Sequence, residues 1–276
     1  MAGSKTPKAT GTSGSRGLYG FDARVAHPAR VYDYWLGGKD NFEADRIAGE
    51  ETIAAYPAIR ASARANRAFL ARSVRYLAAE AGIRQFLDIG TGLPTANNTH
   101  QVAQAIAPSS RIVYVDNDPL VLVHARALLT STSEGACDYI DADMRDTATI
   151  LSEAARTLDF SRPVALMMLG IVGQVPDSDQ PELIIRQLLE PMTSGSYLAL
   201  SDGTNTSESF TTAVEAYNQS SANTYHPRSP AQLTGFFDGL KLISPGVVEL
   251  NKWRPDATLF PDAGAVPGMG GVGRKP

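Results

Sequence analysis

The run Phe86-Leu87-Asp88-Ile89-Gly90-Thr91-Gly92-Leu93-Pro94 carries an apolar strand into an acidic residue and then into two glycines spaced by one position. A second apolar run, Ile112-Val113-Tyr114-Val115, ends on another carboxylate, Asp116, 24 residues past Gly92. Strand, glycine turn, helix, strand and acid in this order are how a doubly wound sheet holds an adenosine-containing ligand at the carboxyl edge of its strands. Glycine lets backbone approach such a ligand with no Cβ in the way. A carboxylate at the tip of the second strand accepts both ribose hydroxyls.

A dinucleotide fingerprint reads G-x-G-x-x-G, its third glycine packing the helix against the strand. In that register this chain has Gly90, Gly92 and then Thr95. The third glycine is missing, and Asp88 stands two positions before the first. An acid is unhelpful beside a pyrophosphate but useful beside the ammonium group of a methionine moiety. The pattern therefore favours S-adenosylmethionine (SAM) over NAD.

Around this centre strands and helices alternate, which means a parallel sheet. Strands are expected at Gln85 to Ile89, Arg111 to Asp116, Cys137 to Ile140, Val164 to Leu169 and Gly195 to Ser201. A last strand pair is expected at Leu240 to Ile243 with Val247 to Leu250. Helices are expected at Thr95 to Ala107, from Pro119 behind the cap Asp118, from Asp146 to about Leu158, and from Pro181 to Leu189. Two more follow, at Glu208 to Tyr217 and Ser229 to Phe237. A proline at the first helical position is a strong start signal.

The chain has 276 residues, 43% of them apolar, and a net charge of −4. That suffices for one sizeable core and gives no overall basic field for nucleic acid or anionic membrane. The single cysteine, Cys137, excludes an internal disulfide framework, and no clustered Cys and His suggest structural zinc, so no metal is expected. No apolar run is long enough to span a bilayer, and the first twenty residues lack the apolar centre of a secretory signal. A cytoplasmic protein is expected. Residues 1–20 read as a disordered tail, residues 21–82 as an N-terminal helical cap or lid, and residues 83–276 as the ligand-binding domain packed with it. The Gly-rich tail from Ala263 reads as loose by composition. Its resemblance to a phosphate loop is discounted, because no helix can follow Pro276.

Within the cap, Gly37 and Gly38 break an aromatic-rich segment and display Lys39, Asp40 and Asn41 on a loop, where binding residues tend to sit. Tyr32, Gly38, Lys39, Asp40 and Asn41 are the candidates for a substrate-facing lid; the plainer alternative is a cap whose aromatics pack on the sheet. Further on, Ile59, Ala63, Leu70, Val74 and Leu77 trace one helical face with Asn66 in its centre. A buried asparagine needs a partner, either a structural one or a ligand. Arg60, Arg64, Arg67 and Arg75 lie toward the other face and read as a solvated surface with some intrahelical salt bridges; the alternative is that they meet an anionic acceptor.

The segment His27-Pro28-Ala29-Arg30-Val31-Tyr32-Asp33-Tyr34-Trp35-Leu36-Gly37-Gly38-Lys39-Asp40-Asn41-Phe42, on to Asp45, and then Asp88 to Thr95, closely resembles the S-adenosyl methyltransferase family once catalogued only as a domain of unknown function. The likeness extends through Ala65-Asn66-Arg67-Ala68-Phe69-Leu70, Ser244-Pro245-Gly246-Val247-Val248 and Trp253-Arg254-Pro255-Asp256. It implies an α/β fold: the doubly wound, mostly parallel seven-stranded sheet of class I methyltransferases (Rossmann-like) with an N-terminal helical extension. It also implies that Gly271 to Lys275 closes the sheet as its last strand, against the composition. Under the resemblance, Asp88, Gly90, Thr91 and Gly92 would line the methionine and ribose portion of SAM. Asp116 would take the ribose hydroxyls, Asn117 the adenine edge, and Asp143 with the Met144 backbone the adenine amine. Leu169 and Gly170 would flank the sulfonium. Asp141 and Asp146 are alternatives to Asp143, and Asp118 is better read as a helix cap. One departure stands out: Gln174 follows the fourth strand where relatives often carry a histidine.

Methyl transfer asks little of the protein beyond positioning and exclusion of water. Tyr32, Lys39, Asp40 and Asp202 are the side chains that could act as a base, and no recognisable dyad selects one, so no catalytic residue is assigned. His27 reads as a turn residue, His124 as a core histidine, and His226 as a weak candidate. The expected activity is transfer of a methyl group from SAM to a small-molecule acceptor, leaving S-adenosylhomocysteine (SAH), without nucleic-acid or membrane partners and as monomer or homodimer. Another adenosyl-dependent transferase, such as an aminopropyl transferase, would want an acidic cluster after the fourth strand. A nicotinamide enzyme is disfavoured by Asp88 and Thr95. A non-catalytic SAM-binding regulator stays open.

Overall fold

The computed structural model describes residues 22–95, 97–128, 131–220, 223–255 and 265–276. Three helices lead: α1 (Pro28–Leu36), α2 (Glu43–Ala55) and α3 (Ile59–Ala79). Then β1 (Gln85–Ile89), α4 (Thr99–Ile106), β2 (Arg111–Asp116), α5 (Pro119–Leu128), β3 (Ala136–Asp141), α6 (Thr147–Ala154), β4 (Ala165–Leu169), α7 (Pro181–Leu189) and β5 (Tyr197–Gly203) alternate. The chain continues through α8 (Glu208–Ser220), α9 (Pro230–Gly235), β6 (Lys241–Leu242), β7 (Val248–Glu249) and β8 (Gly268–Arg274).

The sheet order is β3-β2-β1-β4-β5-β8-β6, with β7 also on β8. Strands β1 to β5 run parallel, and β8 returns antiparallel to β5. The order reverses between β1 and β4, the switch point at which such sheets open a crevice at their carboxyl ends. Alternation along β1 explains the two layers. Leu87 and Ile89 join Val113, Leu166 and Leu198 on the face covered by α6, α7 and α9. Phe86 joins Ile112, Met167 and Ala199 on the opposite face, under Phe69, Val74 and Leu77 of α3. Successive strand residues point to opposite faces, so Asp88 sits on the α3 side.

The stripe expected on α3 is buried throughout, and this helix covers one face of the sheet. Arg72 secures it, donating from Nε to the Trp253 carbonyl (2.8 Å) and from Nη2 to the Leu250 carbonyl (2.6 Å).

Three expectations need correction. The helix after the glycines starts at Thr99, not Thr95, because Asn98 opens it: the Gln101 side chain accepts from the Asn98 amide at 2.9 Å, as in a capping box. The last strand pair is not a pair. Both β6 and β7 are short and bond to β8 instead. The tail from Gly268 is not loose but forms β8, hydrogen-bonded on both sides, as the family resemblance implies. Its glycines answer to packing. A Cβ on Gly270 would lie 2.9 Å from Ser201 Cβ and 3.0 Å from Phe69 Cζ, and one on Gly273 would lie 2.9 Å from Phe237 Cδ1. The expectations for residues 1–20, Ala263 and Gly264 fall outside the described residues. Among the described residues no helix is long and apolar enough to cross a membrane.

Gly270→Val should therefore overpack the seam between β8, β5 and α3 and destabilise the protein by about 1–3 kcal/mol. Urea unfolding reads this as a lower midpoint at unchanged slope; an unchanged midpoint contradicts the packing role.

Candidate functional site

The chain turns sharply where β1 ends. The Gly90 amide donates to the Val115 carbonyl at 2.8 Å, which binds the turn to β2. Gly90 and Gly92 hold φ of +72° and +66°, the left-handed region that glycine enters without a Cβ penalty. Their surroundings differ. A Cβ on Gly90 would lie 2.4 Å from Ile171 Cγ1, whereas nothing lies within 4 Å of one built on Gly92. A larger residue at position 90 thus pushes on Ile171, while one at position 92 meets open space.

Asp116 holds this turn in place. Its Oδ2 accepts from the Gly92 amide at 2.7 Å and its Oδ1 from the Asp118 amide at 3.0 Å. Burial raises the Asp116 carboxyl above its ordinary value, against the pull of these two amides. Asp88 is 4% exposed and accepts from Thr99 Oγ1, at the start of α4, at 2.6 Å. Burial pushes its carboxyl up to about 6, more than the Thr99 hydrogen bond and the charge of Arg67 lower it.

These groups line a cavity of about 460 Å³ at the carboxyl edge of the sheet. All ten residues expected to hold the cofactor contribute to its wall: Asp88, Gly90, Thr91, Gly92, Asp116, Asn117, Asp143, Met144, Leu169 and Gly170. Asp143 is steadied by the Arg145 amide (2.9 Å), by Arg145 Nη1 (2.9 Å) and by Asn117 Nδ2 (3.3 Å). The alternatives Asp141 and Asp146 are not in the wall; Asp146 instead caps α6 by accepting from the Thr149 amide at 3.1 Å. Asp118 caps α5, accepting from the Leu120 amide at 2.9 Å.

Of the proposed lid residues, only Tyr32 lines the cavity. Gly38, Lys39, Asp40 and Asn41 do not, because the buried Asp33 folds their loop back on α1. Asp33 Oδ2 accepts from the Asp40 amide (3.0 Å) and from Asn41 Nδ2 (2.9 Å), and a Cβ on Gly38 would lie 1.9 Å from Asp33 Oδ1. Asp40 faces His124 at 3.6 Å, and that histidine is a quarter exposed rather than a core residue. His226 lies near Thr224 Oγ1 (2.9 Å) and is not in the wall.

Several wall residues were given another reading, or no role, by the sequence. His27 immediately precedes α1 and pairs through Nδ1 with Asp118 Oδ2 at 2.9 Å, while its amide donates to Asp45 Oδ1 at 2.9 Å. Burial would raise Asp118, but the hydrogen bond and charge of His27, the Leu120 amide and Arg30 together hold it below the usual carboxylate range. Arg67 is half-buried, not solvated, and donates from Nη2 to the Asn97 carbonyl and to Asn98 Oδ1, both at 3.2 Å. Its neighbour Asn66 accepts from Ser201 Oγ at 2.6 Å and donates to Tyr32 Oη at 3.4 Å. An asparagine inside an apolar stripe was the available signal for this cluster. Trp35, Phe210, Tyr225 and Gln174 complete the wall named here. Among the described residues no group of three or more His, Cys, Asp or Glu is placed to hold a metal ion.

The residues fit an adenosyl cofactor bearing a cationic sulfur and a free ammonium group. The turn at Gly92 leaves room where any other residue would put a Cβ, and two buried carboxyls flank it with acceptor positions to spare. The cavity lies at the sheet's switch point, where such ligands bind.

Keeping Asp88 in the wall costs stability. Its carboxyl is raised from the unfolded value, so its protonated form is the one the fold favours, and the penalty grows as pH rises from about 4 to about 6. At neutral pH this is on the order of 3 kcal/mol in the ligand-free protein. Asp88→Asn should raise its unfolding free energy at pH 7.5 and lose that advantage at pH 4; an equal effect at both contradicts the shifted titration.

Residues 17–276 match the family described as S-adenosyl methyltransferase. No curated protein sequence matches the chain. It is similar to the crystal structure of a DUF574 family protein from Streptomyces avermitilis, at 47% identity and TM-score 0.88, covering 92% of this chain and 99% of that one. It is also similar to a Thermobifida fusca protein provisionally described as a methyltransferase, at 40% identity and TM-score 0.84, covering 91% and 96%. A mitomycin 7-O-methyltransferase shares the fold alone, at 17% identity and TM-score 0.51 over 79% of this chain and 56% of that one. With the match spanning nearly its whole length, the chain belongs to the S-adenosyl methyltransferase family.

Proposed function

We propose that this protein transfers the methyl group of SAM to a small-molecule acceptor inside the cavity at the β1–β4 switch point. The observation that carries this reading is the convergence there of the glycine turn with the carboxyls of Asp88 and Asp116. When bound, the sulfonium supplies an activated methyl group that needs no further activation by the protein.

The chain's own residues bind, orient and shield. Asp116, at the β2 tip, offers its remaining lone pairs to the ribose hydroxyls while its amide bonds keep the turn closed. Asp88 faces the ammonium of the methionine end. Asn117, Asp143 and Met144 take the adenine, and Leu169 and Gly170 at the β4 tip flank the sulfur. Helices α1, α3 and α8 roof the cavity with Tyr32, Trp35, Ile59 and Phe210, which restricts water. A roof enclosing a space of about 460 Å³ suits a small acceptor better than a macromolecular one.

Calorimetry tests both acidic roles. SAH should bind with Asp116→Ala weakened about ten- to a hundredfold, the value of a charge-assisted hydrogen bond, while NAD gives no heat. Unchanged SAH affinity in that variant refutes the ribose assignment. Wild-type affinity should be level above pH 7 and fall below about pH 6, as Asp88 takes up a proton and loses its charge. Asp88→Asn should bind weakly and without that dependence; a pH-independent wild type removes Asp88 from the ammonium site.

A further inference from the structure

Part of the cavity wall carries no role in holding the nucleoside. Tyr32 and Trp35 of α1, Ile59 of α3, Phe210 and Val214 of α8, and Tyr225 form an aromatic and aliphatic surface. The rings brace one another edge to face: Tyr32 on Trp35 at 6.4 Å, Phe210 on Tyr225 at 6.4 Å, and Tyr56 behind Phe210 at 5.5 Å. Flat aromatic ligands match such walls, since ring pairs favour edge-to-face and offset contact.

One acid opens onto this surface. Asp202, at the end of β5, is 4% exposed and lines the cavity. Its Oδ1 accepts from the Gly203 amide (2.8 Å) and from the Tyr225 hydroxyl, and its Oδ2 accepts from the Gly173 amide (2.7 Å). A carboxylate has about four acceptor positions, so these three donors leave one on Oδ2. The location is suggestive as well. Asp202 directly follows Ser201, the register partner of Leu169, and the Gly170 amide donates to the Ser201 carbonyl at 2.7 Å. The Asp202 backbone thus lies on the strand next to the β4 tip assigned to the sulfur.

Charge narrows the partner further. Among the described residues no lysine lines the cavity, and the two arginines that do are committed elsewhere: Arg67 to Asn97 and Asn98, Arg145 to Asp143 and Asp179. An anionic acceptor would meet the Asp202 carboxyl with neither of these arginines turned to it. A cationic one meets the field of the buried Arg228, which acts on Asp202 more weakly than burial and the three hydrogen bonds do and is itself bonded to the Val172 and Val175 carbonyls and to Asp177. A neutral donor fits.

We infer that the methyl acceptor is a flat aromatic molecule bearing a neutral hydroxyl, seated against the Trp35 and Phe210 wall with its O–H donated to Asp202 Oδ2. The inference rests on the cavity being the SAM site. Asp202 is then the residue that selects the acceptor group and turns its oxygen toward the β4 tip; as the oxygen–methyl bond forms and the sulfur–methyl bond breaks to leave SAH, the hydroxyl proton passes to Asp202 Oδ2. A purely structural Asp202, stapling the 172–174 turn and the Tyr225 segment to β5, would show no preference among ligands.

Equilibrium dialysis of the SAH-saturated protein, first as wild type and then as Asp202→Asn, against 2-naphthol, 2-methoxynaphthalene, 2-naphthoate and 2-naphthylmethylammonium tests this. 2-Naphthol should bind about ten- to a hundredfold more tightly than its methyl ether, the worth of a hydrogen bond to a carboxylate, and more tightly than either ion. Asp202→Asn should reduce its advantage over the ether to about threefold or less while SAH affinity is kept. Equal binding of naphthol and ether, or tighter binding of either ion, overturns the inference and leaves the cofactor site intact. Failure of SAH itself to bind overturns the cofactor reading and this inference with it.

Discussion

The Asp116 carboxylate gripping the Gly92 amide at 2.7 Å is the constraint on which the rest of this site depends. That one bond joins the tip of β2 to the turn leaving β1, so two strands of the sheet define the cavity floor together. The Asp118 amide on the other oxygen extends the clasp to the start of α5. Asp118 in turn meets His27, and His27 and Arg30 meet Asp45. A chain of buried charges and dipoles thus runs from the glycine turn to the N-terminal helices, which is why α1 and α2 sit over the cavity and not beside it.

Two acids of the cavity wall cost the folded protein stability. Asp88 and Asp202 are both buried acids raised by desolvation, and both line the cavity. Burying carboxyls in this manner is unfavourable without a partner. The apolar layers on either side of the sheet supply the stability that tolerates it, and α3 anchors the arrangement by covering β1, β4 and β5 while presenting Asn66 and Arg67 to the cavity. One helix does both jobs because its apolar stripe is interrupted at a single position.

The alternation of apolar runs with capped helices was enough to read the parallel half of the sheet, since local pattern and global fold agree there. The glycine turn and the acid at the β2 tip were legible for the same reason. What composition misread was β8: glycines in number suggest disorder, yet here each is forced by a neighbour such as Phe69 or Phe237 that lies far away in sequence. The Lys39–Asn41 loop was misplaced for a related cause, because its direction is decided by Asp33 acting across a turn. His27, Tyr225 and Arg67 gain their meaning only from partners 91, 23 and 31 residues distant, Asp118, Asp202 and Asn98. No periodicity carries such pairings.

A crystal structure of the protein grown with SAH tests the central claim most directly. The account predicts density for the nucleoside at the Gly90–Gly92 turn, with its ribose hydroxyls on Asp116 and its ammonium facing Asp88. Density for the ligand elsewhere, or a ribose that leaves Asp116 untouched while the turn stays closed, would contradict it.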